Sequence, residues 1–169
     1  MSTEGYLGLG SNVGDRSAHL RAALELLREH GVEVLAVSDG YETDPTGEIL
    51  DQPDFLNAVV RIRTDLEPEA LLNLCKAIEA EQGRVFGGPR HGPRPLDVDV
   101  LMLGSRTYES ARMRVPHPEV TGRRFVLVPL LEIAPGIRLP DGTVLADELA
   151  KLDPAERVER LGPLTELEG

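Results

Sequence analysis

The sequence predicts an α+β sandwich, and three observations predict it. Two stretches, residues 17–30 and 68–82, carry helical period. Four stretches read as strands. Their order is strand, helix, strand, strand, helix, strand, the split β-α-β pattern. Composition agrees with one such unit: 169 residues, 41% of them hydrophobic and 28% charged, supply enough apolar surface for one core.

Residues 5–10 read as a short strand that ends in Gly-Ser-Asn. Asp15 is placed to cap the first helix, where Leu20, Ala23, Leu24 and Leu27 share one face and Gly31 supplies the stop. Residues 32–41 alternate in part and read as a strand. Residues 43–53 form a loop with two Pro, one Gly and three acids. Residues 55–64 alternate again, with Leu56, Val60 and Ile62 opposed to Arg61 and Arg63. Pro68 suits the first turn of the second helix, whose apolar face is Leu71, Leu72, Cys75 and Ile78 before Gly83 ends it. A loop over 84–95 leads into a strand over 96–103, and a second polar loop follows over 104–114. Residues 125–133 are apolar nearly all round and predict a buried helix or core-lining segment, with Pro129 inside it. A short helix is expected over 145–152. The domain therefore spans residues 1–152, and residues 153–169 read as a weakly anchored tail. Four antiparallel strands would carry both long helices on one face, as in a ferredoxin-like βαββαβ sandwich with C-terminal additions. The other face then needs cover, and residues 125–133 are the candidate third layer.

Composition also excludes functions. Eighteen Lys and Arg against 29 Asp and Glu give a net charge of −11, which argues against a coat for nucleic acid or anionic membrane. No run of about 20 apolar residues predicts a transmembrane helix, and the N-terminus lacks the pattern of a secretory signal. Cys75 is the only cysteine, so neither an intramolecular disulfide nor a multi-cysteine zinc site is available. A cytoplasmic protein without an obligate protein partner is expected.

The strongest local signal is Leu-Asp-Val-Asp-Val at residues 96–100. On a strand Asp97 and Asp99 share one face, about 6–7 Å apart along the chain. Two such carboxylates repel unless a cation joins them, and oxygen donors suit Mg²⁺ on a phosphate chain. Alone, the spacing fits an ordinary solvent-facing strand better. The preceding loop shifts that balance. Residues 84–96 hold Arg84, Arg90 and Arg94, one His and no acid, and Gly87, Gly88 and Gly92 let backbone approach a ligand. Arginine forks beside paired carboxylates are what a metal–polyphosphate complex needs. A second basic group follows in Arg112, Arg114, His117, Arg123 and Arg124, with His117 held between two prolines. Arg106 and Arg124 read as solvated surface, as do His19 and His30. The Gly10-Ser11-Asn12 loop matches neither a P-loop nor a dinucleotide fingerprint, and a turn with a helix cap explains it as well.

Five blocks carry a resemblance: YLGLGSNVGDR, YETDPTG with DQPDFLNAVV, IEAEQGR, GPRPLDVDVLML and RVPHPEVTGRRFVLVPLLEIAP. In this order, over residues 6–135, the chain resembles the 6-hydroxymethyl-7,8-dihydropterin pyrophosphokinase family of folate biosynthesis. The resemblance implies transfer of pyrophosphate from ATP to the pterin hydroxymethyl group, with release of AMP. It implies two Mg²⁺ ions on Asp97 and Asp99, and Arg84 and Arg94 steadying the transferring group. Glu79, Arg112, His117 and Arg123 match positions on the ATP side. Asn57 matches the residue that reads the pterin amide edge, Thr43 and Asp44 offer backbone groups to the same ring, and Phe55 and Phe125 match its two aromatic walls. A flat heteroaromatic ring needs such stacking faces and a few polar groups. His91, Phe86, Arg114, Pro118 and Lys76 depart from frequent family residues, and loop closure over the triphosphate is expected of residues 85–92. Two other readings remain open on the residues: a noncatalytic nucleotide sensor, and an RNA-binding domain of the same fold, against which the two strand carboxylates and the net charge stand.

Overall fold

Residues 2–45, 51–83 and 93–167 are described in the structure, a computed structural model. The first half runs β1 (Thr3–Ser11), α1 (Arg16–Glu29), β2 (Glu33–Val37), β3 (Gly40–Thr43), β4 (Phe55–Thr64) and α2 (Pro68–Glu81). The second half runs β5 (Asp97–Leu103), β6 (Tyr108–Glu109), β7 (Arg114–Val115), α3 (Arg124–Ile133), α4 (Leu145–Ala150) and β8 (Val158–Gly162).

One antiparallel sheet organises the molecule, in the order β5-β1-β4-β3-β8, with β2 also on β4. This is the α+β arrangement expected, with three differences. The polar loop expected over 104–114 carries β6, which pairs with β7 as a small second sheet. The strand expected over 32–41 is two strands, broken at Ser38. There the Ser38 hydroxyl accepts a hydrogen bond from the Val59 amide at 2.9 Å, so a side chain continues the ladder across the break. The sheet also gains β8 at its far edge. The weakly anchored tail is thereby corrected for residues 158–167. Those residues pair with β3, bury Leu164, and hold Ser17 Oγ and Arg21 through the carbonyls of Leu167 and Leu164 at 3.0 Å. Arg124, expected to be solvated, donates to the carbonyls of Pro154 and Glu156 just upstream.

Helix α1 begins where capping predicts: Asp15 Oδ1 accepts from the Ala18 amide at 3.1 Å. It ends at Gly31, whose φ of +82° is a left-handed turn that favours glycine. Alternation along the strands separates two cores. Leu7, Leu9, Ala58, Val60, Ile62, Val98 and Val100 pack against Leu20 and Leu27 of α1 and Leu71, Cys75 and Ile78 of α2. Each such leucine, fully buried, contributes about 1.5–3 kcal/mol. On the other face Val59 and Leu101 pack under Leu127 and Leu130 of α3 and Leu145 of α4. Residues 125–133 are thus the third layer, and Pro129 sits inside α3, where it withdraws one helical amide. Helices α3 and α4 cover only part of that second face. The rest is open, and it holds the polar residues of the sheet.

Candidate active site

The open half of the second face is a cleft of about 400 Å³. Its floor is three strands wide. Register aligns Asn57 of β4, Gly10 of β1 and Asp97 of β5 in one row, and Val59, Gly8 and Asp99 in the next. Glycine in the middle strand leaves a trench between the polar groups of β4 and the carboxylates of β5. A Cβ at Gly10 would stand 2.7 Å from Asn57 Oδ1, so this glycine makes room and does not merely turn the chain.

Two aromatic walls line the cleft. Phe55 starts β4 and Phe125 lies in the first turn of α3. Both rings are partly exposed and both line the cleft. Each carries a guanidinium on its face: Arg94 lies 5.6 Å from the Phe55 centroid and Arg123 lies 5.4 Å from that of Phe125. Asn57 is buried, lines the cleft and donates through Nδ2 to Thr43 Oγ1 at 2.6 Å, which fixes its amide in place. Thr43 and Asp44 line the same end.

Asp97 and Asp99 project into the cleft from β5. Arg94 Nη1 stands 3.7 Å from Asp97 Oδ1. The Asp99 carboxyl is pushed well above the ordinary aspartate range, first by burial and then by the charges of Asp97 and Glu79. A divalent cation would relieve that repulsion. Among the described residues no group of three or more His, Cys, Asp or Glu gathers for a metal. A cation here draws on two carboxylates, and Mg²⁺ fits such a site because it keeps waters and phosphate oxygens as its other ligands.

His117 comes from the turn after β7 and is held by its amide, which donates to the Leu101 carbonyl at 2.9 Å. Its Nδ1 accepts from the Glu119 amide at 3.1 Å. Burial, reinforced by Arg123, lowers its pKa, so the ring is neutral at pH 7. With Nδ1 accepting, the proton sits on Nε2 as a donor.

A family model for 7,8-dihydro-6-hydroxymethylpterin-pyrophosphokinase (HPPK) matches residues 6–135. The chain belongs to this family. An HPPK chain is a pyrophosphokinase of folate synthesis, and relatives agree. A 2-amino-4-hydroxy-6-hydroxymethyldihydropteridine pyrophosphokinase of Methylorubrum extorquens is 48% identical over 160 residues, 93% of this chain and 99% of the relative. One from Pseudomonas aeruginosa is 44% identical, covering 92% and 95%. A folate synthesis bifunctional protein of Arabidopsis thaliana is 45% identical over 130 residues, but the chain spans only 27% of its length. A crystal structure of Plasmodium falciparum HPPK-DHPS superposes with a TM-score of 0.68 at 14% identity, over 89% of this chain and 45% of that one, which shows the fold.

Within this HPPK chain, the cleft gathers Thr43, Asp44, Phe55, Asn57, Arg94, Asp97, Asp99, His117, Arg123 and Phe125, together with Lys76 and Pro118. Two expected residues stand elsewhere. Glu79 is fully buried on α2. Its Oε2 accepts from the Val98 amide at 2.7 Å and its Oε1 faces Lys76 Nζ at 3.4 Å, so it supports β5 from behind the carboxylates. Arg112 is exposed and held to α2, 2.8 Å from Asn73 Oδ1 and 3.4 Å from Glu69 Oε1, away from the cleft lining. Arg114 is exposed on β7 and lines a separate hollow behind His117. Arg84, Phe86, His91 and the expected loop closure lie outside the described residues.

Sequence reasoning undervalued Asn12. It is buried and exchanges two hydrogen bonds with the backbone of residue 94, Arg94 N–H to Oδ1 at 2.9 Å and its own N–H to the Arg94 carbonyl at 3.2 Å. Its Nδ2 donates to Gln52 Oε1 at 2.8 Å and to the Pro53 carbonyl at 2.9 Å. Asn12 thus ties the segments before β4 and before β5 to the end of β1. The available signal was a polar Gly-Ser-Asn triplet closing an apolar strand.

Proposed function

We propose that the chain transfers the pyrophosphoryl group of ATP to the hydroxymethyl oxygen of 6-hydroxymethyl-7,8-dihydropterin and releases AMP. The observation that carries this is the shared floor: an amide between two aromatic rings lies one glycine away from a pair of carboxylates. The pterin would stack between Phe55 and Phe125, with its amide edge on Asn57 and backbone groups of residues 43 and 44. Stacking fixes the ring, so the hydroxymethyl group points along the trench toward β5.

In the reaction the hydroxymethyl oxygen gives up its proton to solvent and bonds to the β-phosphorus. The bond from that phosphorus to the oxygen bridging the α- and β-phosphates breaks, so that oxygen leaves with AMP. Asp97 and Asp99 would hold two Mg²⁺ ions, which when bound neutralise phosphate charge and favour the in-line displacement. Arg94, between the Phe55 wall and Asp97, lies where charge develops on the transferring group. Arg123 and the Nε2–H of His117 would hold phosphate oxygens from the opposite bank, and a neutral imidazole donates there without needing low pH. Arg84 is assigned to the transferring group by its family position. Glu79 would serve the ATP side only through the support it gives β5, and Arg112, held to α2, stands away from the cleft lining.

Incubation with Mg-ATP and the pterin alcohol, followed by mass spectrometry, tests the reading. AMP and the pterin pyrophosphate should appear together in equal amounts. ATP binding without either product would make the chain a nucleotide sensor. No helix among the described residues is long and apolar enough to cross a membrane, and a cytoplasmic location is part of this reading.

A further inference from the structure

We infer that Arg157 is a positioning residue for the pterin end of the cleft, an assignment that rests on the pterin reading above. It lies beyond residues 6–135, the span of the family match, and just before β8. Its Nη1 stands 2.7 Å from Asp54 Oδ2 and 3.3 Å from Asp44 Oδ1. Its Nη2 stands 2.9 Å from Glu159 Oε2 and 3.5 Å from Glu42 Oε2. Asp44 directly follows Thr43, and Asp54 directly precedes Phe55. Thr43 and Phe55 are partners in the β3–β4 register. One guanidinium therefore joins the last turn of backbone on β3 to the first on β4, at the place where one aromatic wall and the Thr43–Asn57 pair begin.

Arg16 reinforces the join from α1: its Nη1 lies 3.1 Å from Glu42 Oε1 and donates to the Asp54 carbonyl at 3.1 Å. Glu42, Asp44, Asp54 and Glu159 form a local excess of negative charge. Without Arg157 they repel across the two strand ends, which loosens the segment bearing Phe55 against the one bearing Thr43 and Asp44 and leaves Arg16 and the β3–β4 ladder to hold them. An exposed ion pair is weak when it joins two groups. A planar fork that meets two other chain segments, and is steadied from β8 by Glu159, also sets their spacing, which a lysine point charge does less well. Arg157 touches neither the carboxylate pair nor the His117 bank, so its effect is confined to one substrate.

The test compares the wild-type chain with Arg157→Ala and Arg157→Lys. Fluorescence titration with 6-hydroxymethylpterin reads one end of the cleft, and calorimetry with Mg²⁺ and α,β-methylene ATP reads the other. Arg157→Ala should weaken pterin binding on the order of tenfold through lost preorganisation, with affinity for the ATP analogue unchanged. In turnover, KM for the pterin should rise while kcat at saturating pterin holds. Arg157→Lys should recover part of the loss. Amide hydrogen exchange should quicken at residues 43–45 and 51–57 alone. Unchanged pterin affinity, or an equal loss for both ligands, overturns the assignment. If the wild-type chain binds no pterin, the functional reading has failed, and exchange alone then decides whether Arg157 holds the two strand ends: unchanged rates overturn it and local acceleration upholds it.

Discussion

Glu79 and Asp99 are carboxylates of opposite fortune. Glu79 has an amide to accept from, and replacing it separates support from contact. Glu79→Ala leaves the buried Val98 N–H without that acceptor, a loss of about 1–3 kcal/mol. Glu79→Gln keeps an acceptor oxygen and should lose much less. Urea unfolding of the pair checks this, and equal stabilities would mean that the Val98 bond contributes nothing. Asp99 instead is buried beside like charges, and its folded-state pKa lies above the unfolded value. The sign follows from proton binding. Below the unfolded value of about 3.9 both states are protonated and stability is full. As pH rises, the unfolded chain ionises first, so stability falls until the raised folded value is passed. Asp99→Asn should abolish this decline and melt higher than the wild type at neutral pH without divalent cation. Added MgCl₂ should raise the wild-type melting temperature and leave the variant's in place. Parallel pH profiles for the two proteins would remove Asp99 as the cause.

Among the elements, the C-terminal strand is the one whose importance the sequence hides. Residues 158–162 alternate weakly, and only Leu164 beyond them is buried. Yet β8 covers the edge of β3, and Leu164 and Leu167 press on Gly40, where an added Cβ would stand 2.7 Å from a Leu167 methyl. Arg160 reaches Asp39 Oδ2 at 2.6 Å and Glu132 Oε2 at 3.7 Å, so the strand also touches α3. Glu132 accepts from Tyr41 Oη at 2.6 Å, which docks α3 on β3 and so sets where Phe125 stands. A chain cut after residue 152 should lose stability by at least the burial of Leu164, about 1.5–3 kcal/mol, read as a lower urea midpoint. An unchanged midpoint would show that the tail is as weakly held as its sequence suggests.

For the whole molecule the consequence is a divided cleft. On the proposed reading, the β3–β4 end with Phe125 takes the pterin, and β5 with the His117–Arg123 bank takes the phosphates. Asn57→Ala should therefore weaken pterin binding by about 1–3 kcal/mol, the loss expected when a buried amide's hydrogen bonds go unmade, and leave the ATP analogue unaffected in the same calorimeter. Equal weakening of both would contradict the division. It would mean that Asn57 holds the floor together through Thr43 and does not read a ligand.

The sequence by itself determined the alternation that builds the sheet, the capped helices on its first face, the apolar third layer and the facing of Asp97 with Asp99. These follow from local period and short-range capping, which neighbouring residues encode. It marked Phe55, Asn57, His117, Arg123 and Phe125 through family order. Only the tertiary structure decided the rest. Strand register is a long-range property, so the row of Asn57, Gly10 and Asp97 could not be read from Gly-Leu-Gly alone. Asn12 and Arg157 act through segments 40 or more and over 100 residues away, and their partners exist only after folding. Family position alone suggested Glu79 for the ATP side. The packing of α2 against β5 turned it inward, because a buried backbone amide at Val98 needed an acceptor.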